Sequence, residues 1–225
     1  KLKILEYCIG IPLSLFGNCQ LKEFNLKKFR HDWTHLDIYM IKKFLETQNS
    51  LEIMKIDYDC CTWLFVEDFL SKVNFRLKSL ELDDYYEVPT KDLPNFCAFI
   101  KQHEQTLERL KCKNEEFLHH FADFKSLTSV DLSLCDGWAL QCGVLPQVKS
   151  LRISIERMGS NIEDINRTFP NIQELRVDDI KEAFDVFKAI EKCTNVEKLT
   201  FKYYDDAIPR TPLRMRKLKQ LHVIH

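Results

Sequence analysis

Apolar and polar residues alternate along this chain in one short phrase that keeps returning: apolar, two free positions, apolar, one free position, apolar. It starts at Leu2, Leu21, Leu51, Leu77, Leu107, Leu127, Val148, Ile172, Val196 and Leu218. The next residue is Lys3, Lys22, Glu52, Lys78, Glu108, Thr128, Lys149, Gln173, Glu197 or Lys219, in every case polar. Across the third and fifth positions of all the phrases, only Ile4 and Ile53 are apolar, where a chain with 45% hydrophobic residues would place about nine by chance. Alternation of this kind marks a strand with one buried face. Each phrase is therefore expected to be a strand whose first, fourth and sixth residues enter a core. Its third and fifth residues, and the one after the phrase, face the other way.

Between phrases the apolar period changes to three and four. Trp33, Leu36, Met40 and Phe44 recur this way, as do Val66, Phe69, Leu70 and Val73. So do Phe117, Phe121 and Phe124; Ile162, Ile165 and Phe169; and Phe184, Phe187 and Ile190. One apolar stripe per segment predicts helices packed on the strand layer. The joints into the next strand share a grammar: Leu145-Pro146-Gln147-Val148, Phe169-Pro170-Asn171-Ile172, Cys193-Thr194-Asn195-Val196. Proline cannot continue a helix and pushes its predecessor out of the helical region. Phrase starts lie 19 to 30 residues apart, the period of stacked strand–helix units. The expected fold is α/β, a right-handed solenoid of about ten irregular repeats. Its curved parallel sheet would line the concave side and its helices the convex side.

No Gly/Ser/Pro-rich linker interrupts the pattern, so residues 1–225 are expected to form a single array. The chain opens at the first phrase and closes just after the last with no polar cap visible, which is read as a segment of a longer protein or a chain lacking both caps. With 33 basic and 34 acidic residues the net charge is −1, so neither nucleic acid nor an anionic membrane is an expected partner. No apolar run reaches the length of a membrane helix. The nine cysteines are odd in number and irregular in spacing, and Cys112 takes an inward strand position. They read as free buried thiols of a reducing compartment, cytoplasmic or nuclear.

The phrase and its joints resemble leucine-rich-repeat proteins of the ribonuclease-inhibitor-like class. The best unit is Leu127-Thr128-Ser129-Val130-Asp131-Leu132-Ser133-Leu134-Cys135, an L-x-x-L-x-L-x-x-C form with cysteine in the turn after the strand. That variant is similar to the repeats of F-box leucine-rich-repeat proteins. The turns after the other strands depart from it, with no ladder of Asn or Cys: Phe29, Asp59, Tyr85, Glu115, Glu156, Ile180 and Tyr204 stand there. The resemblance implies a substrate-recognition region of a cullin-RING ubiquitin ligase, whose adaptor is held by an F-box outside this segment. Alternatives of other kinds are a ligand-sensing array of an innate-immunity receptor or ribonuclease-inhibitor-like protein, and a regulatory array of a larger enzyme.

Candidate chemistry is sparse. His119-His120 lies near Cys112 and Cys135 but lacks the paired spacing a metal site wants. Cys60-Cys61 reads as structural, and His31, Asp32 and His35 have no nucleophile in their pattern. No nucleophile elbow, phosphate loop or H-E-x-x-H motif is present. The expectation is a non-enzyme with no cofactor and no metal. Its partner would be a protein held on the outward strand face by Lys55, Asp57, Glu81, Asp83, Arg109, Lys111, Lys113, Asp131, Arg152 and Arg176, and by the rim tyrosines Tyr58 and Tyr85. Lys42, Lys101 and Lys188 are expected on the exposed helix side.

Overall fold

Every phrase folds as a strand. The computed structural model describes residues 2–7, 13–16, 19–26, 35–57, 73–83, 93–112, 120–133, 143–154, 165–180, 188, 190–203 and 214–224. The strands are β1 (Ile4–Tyr7), β2 (Glu23–Leu26), β3 (Ile53–Asp57), β4 (Ser79–Asp83) and β5 (Arg109–Lys111), then β6 (Ser129–Leu132), β7 (Ser150–Ser154), β8 (Glu174–Ile180), β9 (Lys198–Tyr203) and β10 (Gln220–Ile224). They form one open parallel sheet in sequence order. By internal contacts the chain divides into two compact units, Lys1–Arg109 and Leu110–His225.

One backbone device recurs in both units. The carbonyl of a phrase's second residue accepts from the second and third N–H groups of the next phrase. Lys3 accepts from Lys22 at 2.8 Å and Glu23 at 3.1 Å; Lys149 accepts from Gln173 at 2.8 Å and Glu174 at 2.9 Å. The side chain at this second position is exposed or half-buried in every phrase, in keeping with its polar identity.

In the first unit the inward residues Leu5, Phe24, Met54 and Leu80 are buried, with Tyr7, Leu26, Ile56 and Leu82 beside them. Helix α1 (His35–Glu46) buries Ile41, Phe44 and Leu45, and its Phe44 ring meets Phe24 of β2 at 5.8 Å between centroids. Helix α2 (Leu93–Lys101) buries Phe96, Phe99 and Ile100. Two buried polar side chains satisfy the amide of a phrase's first residue. Gln48 accepts from Leu21 N at 2.9 Å and donates to Cys19 O at 3.1 Å. His103 accepts on Nδ1 from Leu77 N at 3.3 Å, stacked on Phe75 and edge-on to Phe99. Its Nε2 has no partner among the described residues. Burial, with the nearby Arg76 charge, pushes the His103 pKa down to about 3, so the ring is neutral.

In the second unit Leu110, Val130, Leu151, Leu175 and Leu199 are buried, with Cys112, Leu132, Ile153, Val177 and Phe201. The short helix α3 (Ile165–Thr168) buries Ile165 and Thr168. The joints are clamped by amide side chains: Asn171 donates to Pro146 O at 2.8 Å, Asn195 to Pro170 O at 3.0 Å and Gln147 to Phe121 O at 3.3 Å. On β10 the same phrase leaves Leu221 51% and Val223 46% exposed, although their register partners Leu199 and Phe201 are 0% and 2% exposed.

The periodic run ending at Phe124 was expected to be helical, and its described end is tighter. Phe124 N donates to Phe121 O at 3.1 Å, a 3-10 type turn that brings the two rings to 4.8 Å. Trp33, residues 66–70, Phe117, Ile162, Phe184 and Phe187 lie outside the described residues. No helix among the described residues is long and apolar enough to cross a membrane.

Candidate functional site

On β2 and β3 an outward lysine and an outward carboxylate form an ion pair. The Glu23 carboxylate takes Lys55 Nζ at 2.8 Å and Asn25 Nδ2 at 3.1 Å. The Lys55 hydrogen bond holds Glu23 below the usual carboxylate range, against the opposing effect of partial burial. Asn25 is buried, and its Oδ1 has no partner among the described residues. The register sets Lys55 beside Glu81 and Asp57 beside Asp83. Lys55 reaches diagonally back to Glu23, a residue absent from the expected set.

On β6–β8 the arrangement is different. The register aligns Asp131 with Arg152 and Arg152 with Arg176, so two guanidiniums stand side by side. Asp178 resolves the repulsion. Its Oδ2 accepts from Arg152 Nε at 2.7 Å and its Oδ1 from Arg176 Nε at 2.9 Å. Arg152 also reaches Asp131 Oδ2 at 3.3 Å, while Asp131 Oδ1 takes Ser133 N at 3.0 Å. Burial lowers the Arg152 pKa, and the Asp178 and Asp131 carboxylates reverse this and raise it overall. Asp178 is only 3% exposed. It sits where the β8–β9 register slips between Val177 and Ile180, a bulge of the kind that re-aims side chains.

Beside this cluster the sheet face holds an open groove of about 300 Å³. Its floor is low because Ser129, Ser150 and Thr200 are short, while Arg152, Glu174, Arg176 and Lys198 stand around them. Lys198 lies 3.9 Å from Glu174. Such a surface presents charged and hydrogen-bonding groups. Nucleophiles near neutral pH are missing from the described thiols whose acidity is shifted: burial raises the Cys97 pKa and pushes Cys193 up to about 11. Among the described residues no group of three His, Cys, Asp or Glu side chains is placed to hold a metal ion.

The expected residues are thus distributed unevenly. Asp131, Arg152 and Arg176 meet in one cluster, and Lys55 and Glu81 lie in register on β3 and β4. Arg109 is exposed and Lys111 half-buried on β5. Asp57 and Asp83 are placed by backbone only, and Tyr58, Tyr85 and Lys113 lie outside the described residues. Cys19, Cys97, Cys112 and Cys193 are free thiols; the remaining cysteines lie outside the described residues. Lys42 was expected to be exposed and is instead 8% exposed on α1, because its helix position turns toward the layer that buries Ile41 and Leu45; Lys101 and Lys188 are exposed.

Asp178, Ser129, Ser150, Glu174, Lys198 and Thr200 were missed. The alternation rule already placed each of them on the outward face. Adjacent phrases with serine at the third position were the readable sign of a depression. A comparison with models of known protein families finds no match, and a comparison with characterised proteins finds no significant similarity.

Proposed function

We propose that this chain is a non-enzymatic protein-interaction module, a leucine-rich-repeat array that holds a protein partner on its outward sheet face. The observation that carries the reading is the β6–β9 groove, where half-exposed guanidiniums are fixed in place by a buried carboxylate. Side chains locked before binding lose little conformational entropy on binding, and arginine is enriched among the residues that dominate interfaces. The resemblance of the phrase to F-box leucine-rich-repeat proteins favours a substrate receptor of a cullin-RING ubiquitin ligase. In that version the cullin adaptor binds an F-box outside this segment, and the site residues are those of β3–β8, including Arg109 and Lys111.

Partner capture by the full-length protein tests both levels. Arg109→Glu with Lys111→Glu should weaken the captured partner by about 1 kcal/mol or more, whereas Lys101→Glu with Lys188→Glu should leave it unchanged. The reverse outcome would place the partner away from the sheet face. Failure of the full-length protein to recover cullin adaptor would remove the ligase version and leave the interaction module.

A further inference from the structure

We propose that the β6–β9 groove docks an acidic segment of the partner protein, with one partner carboxylate seated between Arg176 and Lys198. This rests on the interaction reading above and gives it a partner chemistry. Arg152 is already engaged on two sides, by Asp178 at 2.7 Å and Asp131 at 3.3 Å. Arg176 is held through Nε alone, 2.9 Å from Asp178. Its terminal Nη1/Nη2 fork has no acceptor among the described residues. That fork is the part of a guanidinium that matches a carboxylate with two parallel bonds. Lys198 is held loosely, 3.9 Å from Glu174. In register, Glu174 separates Ser150 from Lys198, and Arg176 lies beside Thr200, so hydroxyl donors flank the position.

Charge here is sorted by depth. The Asp178 side chain is 4% exposed and Asp131 21%, while Arg152 and Arg176 are each 39% exposed and Lys198 43%. The cluster sums to neutral with Glu174, the most exposed of the six at 56%; the other five turn their positive charge outward. Asp131 and Asp178 balance the two guanidiniums in number, but both carboxylates lie deeper than the arginines, so an incoming carboxylate meets the exposed edges of Arg176 and Lys198 first. Glu174, 56% exposed, already sits near Lys198 in the place such a carboxylate takes, and acts as its competitor. A basic peptide would find Asp131 and Asp178 already bonded and, in the groove lining, only Glu174 as an exposed carboxylate.

The test titrates fluorescein-labelled hexaglutamate into the whole chain at low salt and follows anisotropy. Saturable binding is expected. Arg176→Lys keeps a cation on Asp178 but removes the fork, and Lys198→Gln removes only a long ion pair; each should weaken binding about fivefold or more. Glu174→Gln should tighten it about twofold to threefold, and Lys101→Gln on α2 should change nothing. Unfolding midpoints of the variants establish that each is folded. Absent binding, or binding indifferent to both Arg176→Lys and Lys198→Gln, overturns the proposal. Hexalysine binding that is lost in Glu174→Gln also overturns it while leaving the interaction reading standing. If neither peptide binds and the Arg109/Lys111 variant captures partner normally, the groove proposal falls and the partner is placed away from the outward sheet face.

Discussion

On β2 and β3 one lysine meets one carboxylate, Lys55 on Glu23, with the lysine side chain 42% exposed. On β6–β8 one nearly inaccessible carboxylate, Asp178, serves two guanidiniums. Both clusters stand on strands of the same pattern, in the same outward rows. The difference lies in which partner is out of water. In the first pair the lysine keeps its hydration and the Glu23 side chain, 16% exposed, keeps part of it, so the pairing adds little. In the second the anion has surrendered its hydration and depends on its cations, while the cations keep a wet edge. The first is a solvated surface pair. The second holds two guanidiniums in place around a buried carboxylate.

Stripping the cations from Asp178 gives the sharpest test of that contrast. Arg152→Met with Arg176→Met leaves the carboxylate buried alone and should cost about 3–5 kcal/mol in urea unfolding. The converse variant, Asp178→Asn, should cost less, because the arginines can rehydrate. Equal costs would mean that Asp178 is not the buried partner. The core beneath each face should respond alike. Leu80→Ala in the first unit and Leu151→Ala in the second each remove a buried inward leucine and should each cost about 2–5 kcal/mol. A negligible loss at either would break the assigned register there.

Acid should separate the regions again, through His103. Its folded pKa is near 3, below the unfolded value of 6.5, so the unfolded chain takes up the proton first. Stability from this neutral ring is complete above pH 6.5 and falls as pH drops toward 3, at about 1.4 kcal/mol per pH unit. Between pH 7 and pH 5 the wild type should lose about 2 kcal/mol from this group. His103→Gln, which imitates the role of Gln48, should remove that part of the slope, and hydrogen exchange should show the earliest acid opening around Phe75 and Phe99. Parallel slopes for the two proteins would contradict a buried neutral imidazole. The smallest effect belongs to the solvated pair: Lys55→Met should change stability by less than about 1 kcal/mol, and less still in high salt.

The phrase starts located every strand, because alternation is a local property of the sequence. Leu80, Leu110, Val130, Leu151, Leu175 and Leu199 are all buried where the phrase puts them. The apolar stripe through Leu36, Met40 and Phe44 likewise falls on α1, since a three-and-four period over twelve residues leaves little choice. The run ending at Phe121 and Phe124 was less decisive, because a 3-10 turn brings residues three apart together as well as a helix does.

The site was only half legible. Asp131, Arg152 and Arg176 could be named from their outward positions, yet nothing in their own phrases shows that two like charges share one carboxylate. That sharing depends on strands 21 to 26 residues apart in sequence coming into register, and on the slip that brackets Asp178. The same holds for His103, whose acceptor role toward Leu77 spans 26 residues. Sequence by itself determined which way each strand residue points, because the period of a strand is two and is fixed by backbone geometry. Tertiary structure alone decided which of those residues lose water, as the outward Arg176 and Asp178 show on one strand, with side chains 39% and 4% exposed. Direction is set within a strand, and desolvation is set by what the neighbouring strands bring alongside.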